Sequence, residues 1–262
     1  MKNLKELTTH SISLIFCDID DTISHNGKIH ANAYNALWKL FESGFTLVPV
    51  TGRPAGWCEL IARFWPVHGV IGENGGFYFR HASGTMKRFY FQSVEERESN
   101  QKKLAEVRDK ILMDVPGAAV ASDQFCRQLD LAIDFCEDVD PLPASDIDKI
   151  VDHFHSAGAI AKVSSIHVNG WFGDHDKFKM VKTYCENELS LTWENANSKA
   201  VFIGDSPNDE PMFENFKLSV AVENISEFKE RLTHLPKYIC NEKGGDGFTE
   251  FANTLIASKK EN

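Results

Sequence analysis

Short apolar runs alternate with helix-spaced patterns at the start of this chain, and this alternation restricts its fold more than any other feature. Residues 13–18 and 45–51 are apolar runs that end in a polar residue, and residues 70–71 begin a third. Such runs are typical of strands buried on both faces of a parallel sheet. Between them, residues 31–43 and a segment around Trp57 carry apolar side chains at helical spacing. The β-α-β-α-β order predicts right-handed crossovers and a doubly wound, mostly parallel α/β sheet.

The pattern changes after residue 76. The middle of the chain predicts a hairpin, two helices and further antiparallel strands, at residues 77–80, 87–91, 94–112, 118–121, 126–135, 145–157 and 160–169. This mixture predicts a small α+β domain inserted at residues 91–171. The first pattern then resumes, with strands predicted at 200–204, 218–222 and 238–240 and a helix at the end. We therefore expect an α/β core domain, formed by residues 1–90 and 172–262, that the insert interrupts.

The charge balance bears on the possible partners. Acidic side chains outnumber basic ones by 38 to 28, which gives the chain a formal charge of −10. A surface of this sign repels nucleic-acid backbones and anionic membrane surfaces, so we expect neither as a partner. A small anionic substrate needs a local cation to bind against this field.

The cysteines and the apolar segments bear on the compartment. The six cysteines show no CxxC pair and no regular spacing. We interpret them as unpaired thiols rather than as a disulfide framework or a zinc site, which suits a reducing cytoplasm. No apolar stretch approaches the roughly 18 residues of a transmembrane helix, and no apolar segment follows the charged N-terminal residues as in a secretory signal. We expect a cytoplasmic protein, and the sequence leaves its oligomeric state open.

Asp18 and Asp20 lie at the end of the first predicted strand. On an extended segment, side chains at positions i and i+2 point to the same side. Two carboxylates about 4 Å apart repel each other by roughly 4 kcal/mol at an effective dielectric constant of about 20. Such a pair needs a compensating cation or a chemical role. An acidic turn at the end of a strand is the structural alternative.

Two other strand ends carry polar groups, and ligands of an open parallel sheet bind at this edge. Thr51 and Gly52 offer a hydroxyl and turn amides to an oxyanion, although the same pair is common in ordinary turns. The strand at 200–204 leads directly into Asp205, and Asp209 follows four residues later. A helix N-cap would account for one of these carboxylates but not for both. Hard oxygen ligands at this density suit Mg²⁺.

Together these residues resemble the four motifs of the haloacid dehalogenase superfamily, which occur here in order. The motifs are matched by Asp18, Asp20 and Thr22, then by Thr51, then by Lys177, and finally by Asp205, Asn208 and Asp209. The insert between the second and third motifs resembles a type IIB cap. Within that type, the chain is similar to the sucrose-phosphate phosphatase and Cof-like sugar-phosphate phosphatase group. Phe178 follows Lys177 where the group usually has Gly, so Lys179 is the alternative match.

The resemblance implies a magnesium-dependent phosphatase that hydrolyses a small phosphomonoester through a covalent aspartyl-phosphate. It implies that Asp18 is the nucleophile and that Asp20 is the general acid and base. It also implies that Thr51, Gly52 and Lys177 hold the transferring phosphoryl group. The implied ligands of Mg²⁺ are Asp18, the backbone carbonyl of Asp20, Asp205 and Asp209.

Polar residues of the predicted cap suggest a sugar phosphate as the substrate. Arg127, His167 and Asn169 are candidates for contact with sugar hydroxyls, and Trp171 offers an apolar face for a sugar ring. The alternative is an ordinary strand end with a packing Trp. The aromatic residues elsewhere fall at core spacing, so we expect them in the core.

Two other functions stay open at this point. A phosphomutase of the same superfamily would transfer the phosphoryl group to a second substrate instead of water. A phosphoacceptor signalling domain also places an acidic cluster, a Thr and a Lys on a doubly wound sheet. Its phosphorylated Asp lies at the end of a middle strand, however, whereas the strand that ends at Thr51 has no Asp. The large insert also disfavours that alternative.

Overall fold

The structure is a computed structural model, and it describes residues 1–9 and 11–260. Its strands are β1 (Lys2–Asn3), β2 (Leu14–Cys17), β3 (Thr46–Pro49), β4 (Val70–Gly72), β5 (Phe77–Ala82), β6 (Thr85–Tyr90), β7 (Ala119–Val120), β8 (Asp130–Asp134), β9 (Ile160–Val163), β10 (His167–Trp171), β11 (Ala200–Gly204), β12 (Ser219–Ala221) and β13 (Tyr238–Ile239). Its α-helices are α1 (Ala31–Glu42), α2 (Ala55–Phe64), α3 (Val94–Asp114), α4 (Ala144–Ser156), α5 (Lys177–Leu189), α6 (Trp193–Asn197), α7 (Glu210–Asn215) and α8 (Gly244–Lys260).

The described residues form a parallel sheet of six strands in the order β1-β13-β12-β11-β2-β3. Strand β4 continues beside β3 through a parallel bridge between Val50 and Ile71. From there the chain turns into the antiparallel sheet β4-β5-β6, which includes the predicted hairpin. The predicted doubly wound, mostly parallel α/β fold is therefore confirmed.

The central strands are buried on both faces. In β2, Ile15 and Cys17 pack into one hydrophobic cluster, which includes the buried residues of α1 and α8. Leu14 and Phe16 pack into a second cluster, which includes buried residues of α5 and α7. Successive side chains of a strand point to opposite faces, so one continuous apolar run supplies both layers of the core.

Several aromatic side chains of α1 and α2 are not in the core, and here the prediction from spacing is wrong. The exposed fractions of Trp38, Phe41 and Phe64 are 40%, 49% and 73%. The buried stripes of these helices are mostly small or aliphatic, with Ala33, Ala36, Leu37 and Leu40 in α1 and Ala55, Cys58, Ile61 and Ala62 in α2. Small residues let a helix lie close to the sheet, which leaves the larger aromatic side chains outside.

A separate antiparallel sheet, β7-β8-β10-β9, forms between α3 and the return of the chain to the core. Helices α3 and α4 bury their apolar residues against it in a third cluster. We call this sheet and its two helices the cap. The cap therefore has the α+β composition that we expected, while its boundaries at residues 91 and 171 stay a prediction.

Two strand predictions within the cap are wrong. Residues 160–169 form the hairpin of β9 and β10 instead of one strand, because the Ser164 hydroxyl accepts hydrogen bonds from the amides of Ile166 and His167 and reverses the chain. Strand β8 begins at Asp130 rather than at residue 126, since Gln124–Cys126 is a 3-10 turn. Within the described residues, no helix is both long enough and apolar enough to cross a bilayer.

The contact between β10 and α4 leads to a first prediction. A Cβ atom at Gly170 would lie 2.1 Å from Cδ1 of Phe154. We expect Gly170→Ala to lower the free energy of unfolding by about 1–3 kcal/mol, as overpacking of a core usually does. Urea unfolding measures this, with Lys162→Ala on the neighbouring strand as a control that changes an exposed side chain. Unchanged stability of Gly170→Ala would contradict the packing described.

Candidate active site

Three carboxylates meet at the carboxyl ends of the two central strands. Asp18 follows β2 and Asp205 follows β11, and these strands are adjacent in the sheet. Asp209 lies in the 3-10 turn that comes after Asp205. Each of the three offers a carboxylate oxygen, and these atoms all lie within 4.8 Å of one another. All three residues are buried, so the sheet brings together the acidic residues that the sequence placed at its edge.

Lys177 is the cation of this cluster. It is the first residue of α5, and it is buried. Its Nζ atom donates hydrogen bonds to Asp18 Oδ1 and to Asp209 Oδ1, each over 2.7 Å. Lys179 instead points outward and binds Asp174. The structure therefore brings Lys177, and not the alternative Lys179, to the carboxylates.

Asp209 is held in place by the turn that carries it. Its Oδ2 atom accepts hydrogen bonds from the amides of Asp205 and Ser206, over 3.0 and 3.4 Å. Gly204 makes room for this carboxylate, because a Cβ atom at that position would lie 2.2 Å from Asp209 Oδ2. The Thr22 hydroxyl donates to Asp205 Oδ1 over 3.3 Å. Motif residues far apart in the chain thus fix one another's orientation.

The electrostatics of the cluster fit a bound divalent cation. Burial, together with the charges of Asp18 and Asp209, raises the pKa of Asp205 well above its usual range. Burial likewise raises the pKa of Asp18, although Lys177 works in the opposite direction. Burial alone would lower the pKa of Lys177, but the Asp18 and Asp209 charges outweigh it and raise that pKa. One lysine balances only part of the charge of three carboxylates, and hard oxygen donors of this kind suit Mg²⁺.

Thr51 and Gly52 follow β3, the strand that pairs with β2. Thr51 is fully buried, and its hydroxyl accepts a hydrogen bond from the Arg53 amide over 3.0 Å. Gly52 lines the same small cavity as Asp18. A Cβ atom at Gly52 would lie 3.3 Å from Nδ2 of Asn74, which leaves little space for a larger residue. These positions suit the predicted phosphate-binding role, which stays a prediction.

The Asp20 side chain is bound by Arg53, a residue for which we predicted no role. Arg53 Nε donates to both Asp20 oxygens, over 3.1 and 3.0 Å, and Nη2 donates to Asp20 Oδ1 over 2.9 Å. Arg53 Nη2 also lies 2.9 Å from Glu137 Oε1, on the cap. The position of Arg53 directly after Thr51 and Gly52 was a usable signal. Nothing in the sequence marked Glu137 as its partner.

The predicted substrate contacts of the cap line the same cavity as Asp18. Arg127 is buried in ion pairs with Asp123 and Asp130, and Asn169 donates to Asp130 over 2.9 Å. His167 Nε2 lies 2.9 Å from Glu137 Oε2. Their roles as substrate contacts stay predictions.

Trp171, in contrast to these residues, does not line the cavity. Its indole nitrogen donates to the carbonyl of His175 over 3.1 Å, and the two rings are stacked. The side chain is 1% exposed. Trp171 is therefore the packing residue that the alternative described, and it offers no face to a sugar.

Sequence reasoning missed several other residues around the site. Ser164, Ser165 and Ile166 form the tip of the β9–β10 hairpin and line the cavity, together with Ser206 and Asn208 of the core. The hairpin tip was missed because residues 160–169 were predicted as one strand. Its turn was signalled by the adjacent Ser164 and Ser165, since Ser is common in turns.

Glu73 joins the core and the cap through hydrogen bonds, and sequence reasoning also missed it. Its carboxylate accepts hydrogen bonds from the Ala55 amide, at the start of α2, and from the Gln128 and Leu129 amides of the cap. The backbone of Glu73 is in the left-handed region, with φ of 44°. Holding a non-glycine residue in this region is unfavourable, and the three amide contacts compensate for it.

Comparison with known proteins agrees with this geometry. The sequence pattern of the haloacid dehalogenase-like hydrolases matches residues 15–109 and 143–251. This chain belongs to the haloacid dehalogenase-like hydrolase family. The resemblance inferred from the four motifs is therefore confirmed, and the chain is a hydrolase.

Two curated relatives carry the name phosphoglycolate phosphatase. The protein of Methanoculleus marisnigri is 26% identical over 243 residues, which cover 91% of this chain and 94% of that protein. The protein of Methanobrevibacter smithii is 25% identical over 255 residues, which cover 94% of this chain and 99% of that protein.

Solved structures share the fold over nearly the whole chain. A Thermoplasma acidophilum protein has a TM-score of 0.70 at 21% identity, over 94% of this chain and 100% of its own. A Cof-like hydrolase from Plasmodium vivax has a TM-score of 0.71 at 15% identity, over 98% and 100%. The sucrose-phosphatase of Synechocystis, solved with sucrose and phosphate, has a TM-score of 0.62 at 16% identity, over 95% and 98%.

The placement of the two lysines leads to a second prediction. We expect Lys177→Ala to lower kcat by roughly 10²–10³-fold, because it removes a desolvated cation that faces the carboxylates. Lys179→Ala, the matched control on the same helix turn, should change kcat by less than about threefold, since its partner Asp174 is exposed. Steady-state kinetics of phosphate release compares the two. The opposite order would assign the role to Lys179.

Proposed function

We propose that this enzyme is a magnesium-dependent phosphatase that hydrolyses a small phosphomonoester through an aspartyl-phosphate on Asp18. The general class of the enzyme, a phosphoric monoester hydrolase, follows from the family and from the two relatives named phosphoglycolate phosphatase. The observation that carries the proposal is the position of Asp18. Its buried carboxylate ends the central strand, 2.7 Å from Lys177 and within 4.8 Å of the Asp205 and Asp209 oxygens.

The proposed reaction has two steps on one carboxylate. An oxygen of Asp18 attacks phosphorus and displaces the alcohol, and water then hydrolyses the acyl phosphate and restores Asp18. Lys177 stabilises negative charge on the transferring phosphoryl oxygens, and it also favours the ionised form of Asp18. Thr51 and the turn at Gly52 would orient the same oxygens. Mg²⁺ held by Asp18, the Asp20 carbonyl, Asp205 and Asp209 would neutralise charge on the phosphate.

Asp20 is the proposed general acid and base. It lies two residues after Asp18 and lines the same cavity. As an acid it protonates the leaving alcohol, and as a base it then removes a proton from the attacking water. Arg53 binds both Asp20 oxygens and so holds the carboxylate in position.

The cap is the proposed source of leaving-group recognition. We propose that residues 91–171 move as a unit over the core, whose two segments are residues 1–90 and 172–262. Arg127, His167 and Asn169 would then contact the leaving group.

The net charge of −10 supports a small molecule as the partner, rather than nucleic acid or a membrane. The six free cysteines support a cytoplasmic location.

Two leaving groups compete within this proposal. A sugar is supported by the polar side chains of the cap. Glycolate is supported by the names of the two curated relatives. We propose glycolate-sized leaving groups first and a sugar second.

The phosphomutase alternative predicts no phosphate release without a bisphosphate activator, whereas the signalling alternative predicts no turnover.

A third prediction tests the proposed function directly. The wild-type enzyme with Mg²⁺ should release phosphate from 2-phosphoglycolate or from a sugar phosphate without any activator. Asp18→Asn should lower kcat by roughly 10⁴-fold or more, because it removes the nucleophile at constant volume. Rapid quench of labelled substrate should place the phosphoryl group on Asp18. Label on a histidine instead would rule out the proposed mechanism.

A fourth prediction concerns the metal and uses a readout other than activity. Mg²⁺ at about 100 times its Kd should stabilise the wild-type fold by roughly 2.7 kcal/mol, seen as a higher Tm in a thermal unfolding scan. Asp205→Asn should lose most of this gain, since it removes a ligand. Asp109→Asn, which changes an exposed carboxylate on α3, should keep it. An equal Mg²⁺ effect on both variants would contradict the proposed site.

A further inference from the structure

The chamber that contains Asp18 is very small when core and cap are closed. The cavity has a volume of about 20 Å³, which is room for about one water molecule. Its walls come from the strand ends of the core and from the cap. A phosphomonoester can therefore enter only when the cap moves away from the core, and the cap then has to close again around it.

Arg53 and Glu137 form an ion pair at one side of this chamber. Arg53 follows β3 of the core, whereas Glu137 lies in the turn after β8 of the cap. Arg53 Nη2 lies 2.9 Å from Glu137 Oε1, and the two side chains are 5% and 28% exposed. Glu137 Oε2 also lies 2.9 Å from His167 Nε2. The pair therefore ties the loop after β3 to two elements of the cap.

A second cavity, of about 320 Å³, adjoins this ion pair. It shares Asp20, Arg53, Ser165 and Ile166 with the chamber, so the two cavities have a common wall. Glu137 lines the second cavity and does not line the chamber. A volume of this size is typical of small-molecule sites. The Arg53–Glu137 pair thus lies between the chamber that contains Asp18 and space that would admit a large leaving group.

Other polar contacts between core and cap do not depend on Glu137. Arg53 Nη1 lies 3.6 Å from Asp123 Oδ2. Arg127 donates to the Gly52 carbonyl over 2.9 Å, and Glu73 accepts from the Gln128 and Leu129 amides. These contacts hold residues 123 and 127–129 of the cap. The turn that carries Glu137 is held by a hydrogen bond from its own backbone amide to Asp134, which a change of the side chain does not remove. Loss of the Glu137 carboxylate should therefore free one side of the cap and leave the other in place.

We propose that the Arg53–Glu137 pair is a latch that sets the size limit for the leaving group. This inference rests on the proposed function. The pair re-forms behind a leaving group that stays on the Asp18 side of it, whereas a larger group has to reach past the pair and holds Glu137 away from Arg53. Each bound molecule of a large substrate then loses a part-buried ion pair that a small substrate keeps. The enzyme should accordingly prefer the phosphoester of glycolate to that of a hexose.

Glu137→Ala and Glu137→Gln test the latch, with 2-phosphoglycolate and glucose 6-phosphate as substrates. The ratio of kcat/KM for glucose 6-phosphate to that for 2-phosphoglycolate should rise roughly tenfold or more in Glu137→Ala. It should rise in the same direction in Glu137→Gln, which keeps the volume and protects the test against misfolding. Glu59→Gln, the matched control, removes a carboxylate of similar exposure that pairs with Arg63 and Arg88 away from the chamber, and should leave the ratio within about twofold.

Two kinetic outcomes would overturn the latch. One is an unchanged ratio in both Glu137 variants, which would mean that the pair has no influence on leaving-group size. The other is a wild-type enzyme that already prefers glucose 6-phosphate to 2-phosphoglycolate, since the closed latch should disfavour the larger group.

Hydrogen–deuterium exchange separates failure of the latch from failure of the proposed function. In the absence of substrate, Glu137→Ala should speed amide exchange about threefold or more in peptides that cover residues 135–138, because this turn opens more often once its ion pair to the core is lost. Peptides that cover residues 127–129 should keep wild-type protection. Equal exchange in both proteins would overturn the latch whether or not the enzyme is active. If Glu137→Ala exchanges faster than the wild type but the wild-type enzyme releases no phosphate from either substrate, the latch is supported and the phosphatase proposal is overturned.

Discussion

The electrostatic balance between Lys177 and three buried carboxylates is the constraint on which the rest of the site depends. Two carboxylates about 4 Å apart repel each other by roughly 4 kcal/mol even at an effective dielectric constant of about 20. The fold offsets this repulsion with the Lys177 ammonium, which joins Asp18 to Asp209, and with the amides that hold Asp209. Lys177 can reach both because α5 begins at this residue, directly after the chain returns from the cap.

The core and the acidic cluster were predictable from the sequence because local patterns determine them. A strand buried on both faces is a continuous apolar run, and β2 and β11 are such runs. Parallel strands bring their carboxyl ends to one edge, so the predicted strands placed Asp18 and Asp205 at the same edge, and the structure shows that the two strands are neighbours. The choice between Lys177 and Lys179 needed the structure, since it depends on which way the first turn of α5 faces.

The contacts between core and cap were not predictable in the same way. Arg53 and Glu137 are 84 residues apart in the chain, and Glu73 lies 55 residues before Gln128. No periodic pattern records such pairings, because each depends on how two independently formed sheets meet. The exposed aromatic side chains of α1 and α2 were mispredicted for a related reason. Helical spacing shows that a helix has an apolar face. The distance between the helix and the sheet decides whether small or large residues occupy that face.

The position of β2 in the sheet has a consequence for how the chain folds during synthesis. β2 pairs with β3 on one side, but its other side pairs with β11, in which Ile203 lies opposite Cys17. The cap, whose antiparallel strands all lie between residues 119 and 171, leaves the ribosome before β11 does. Its contacts are comparatively local and can form early. Until β11 emerges, the strand that ends at Asp18 keeps an unpaired apolar edge, which is a template for aggregation. The core, rather than the cap, is therefore the part of the nascent chain that most needs a chaperone.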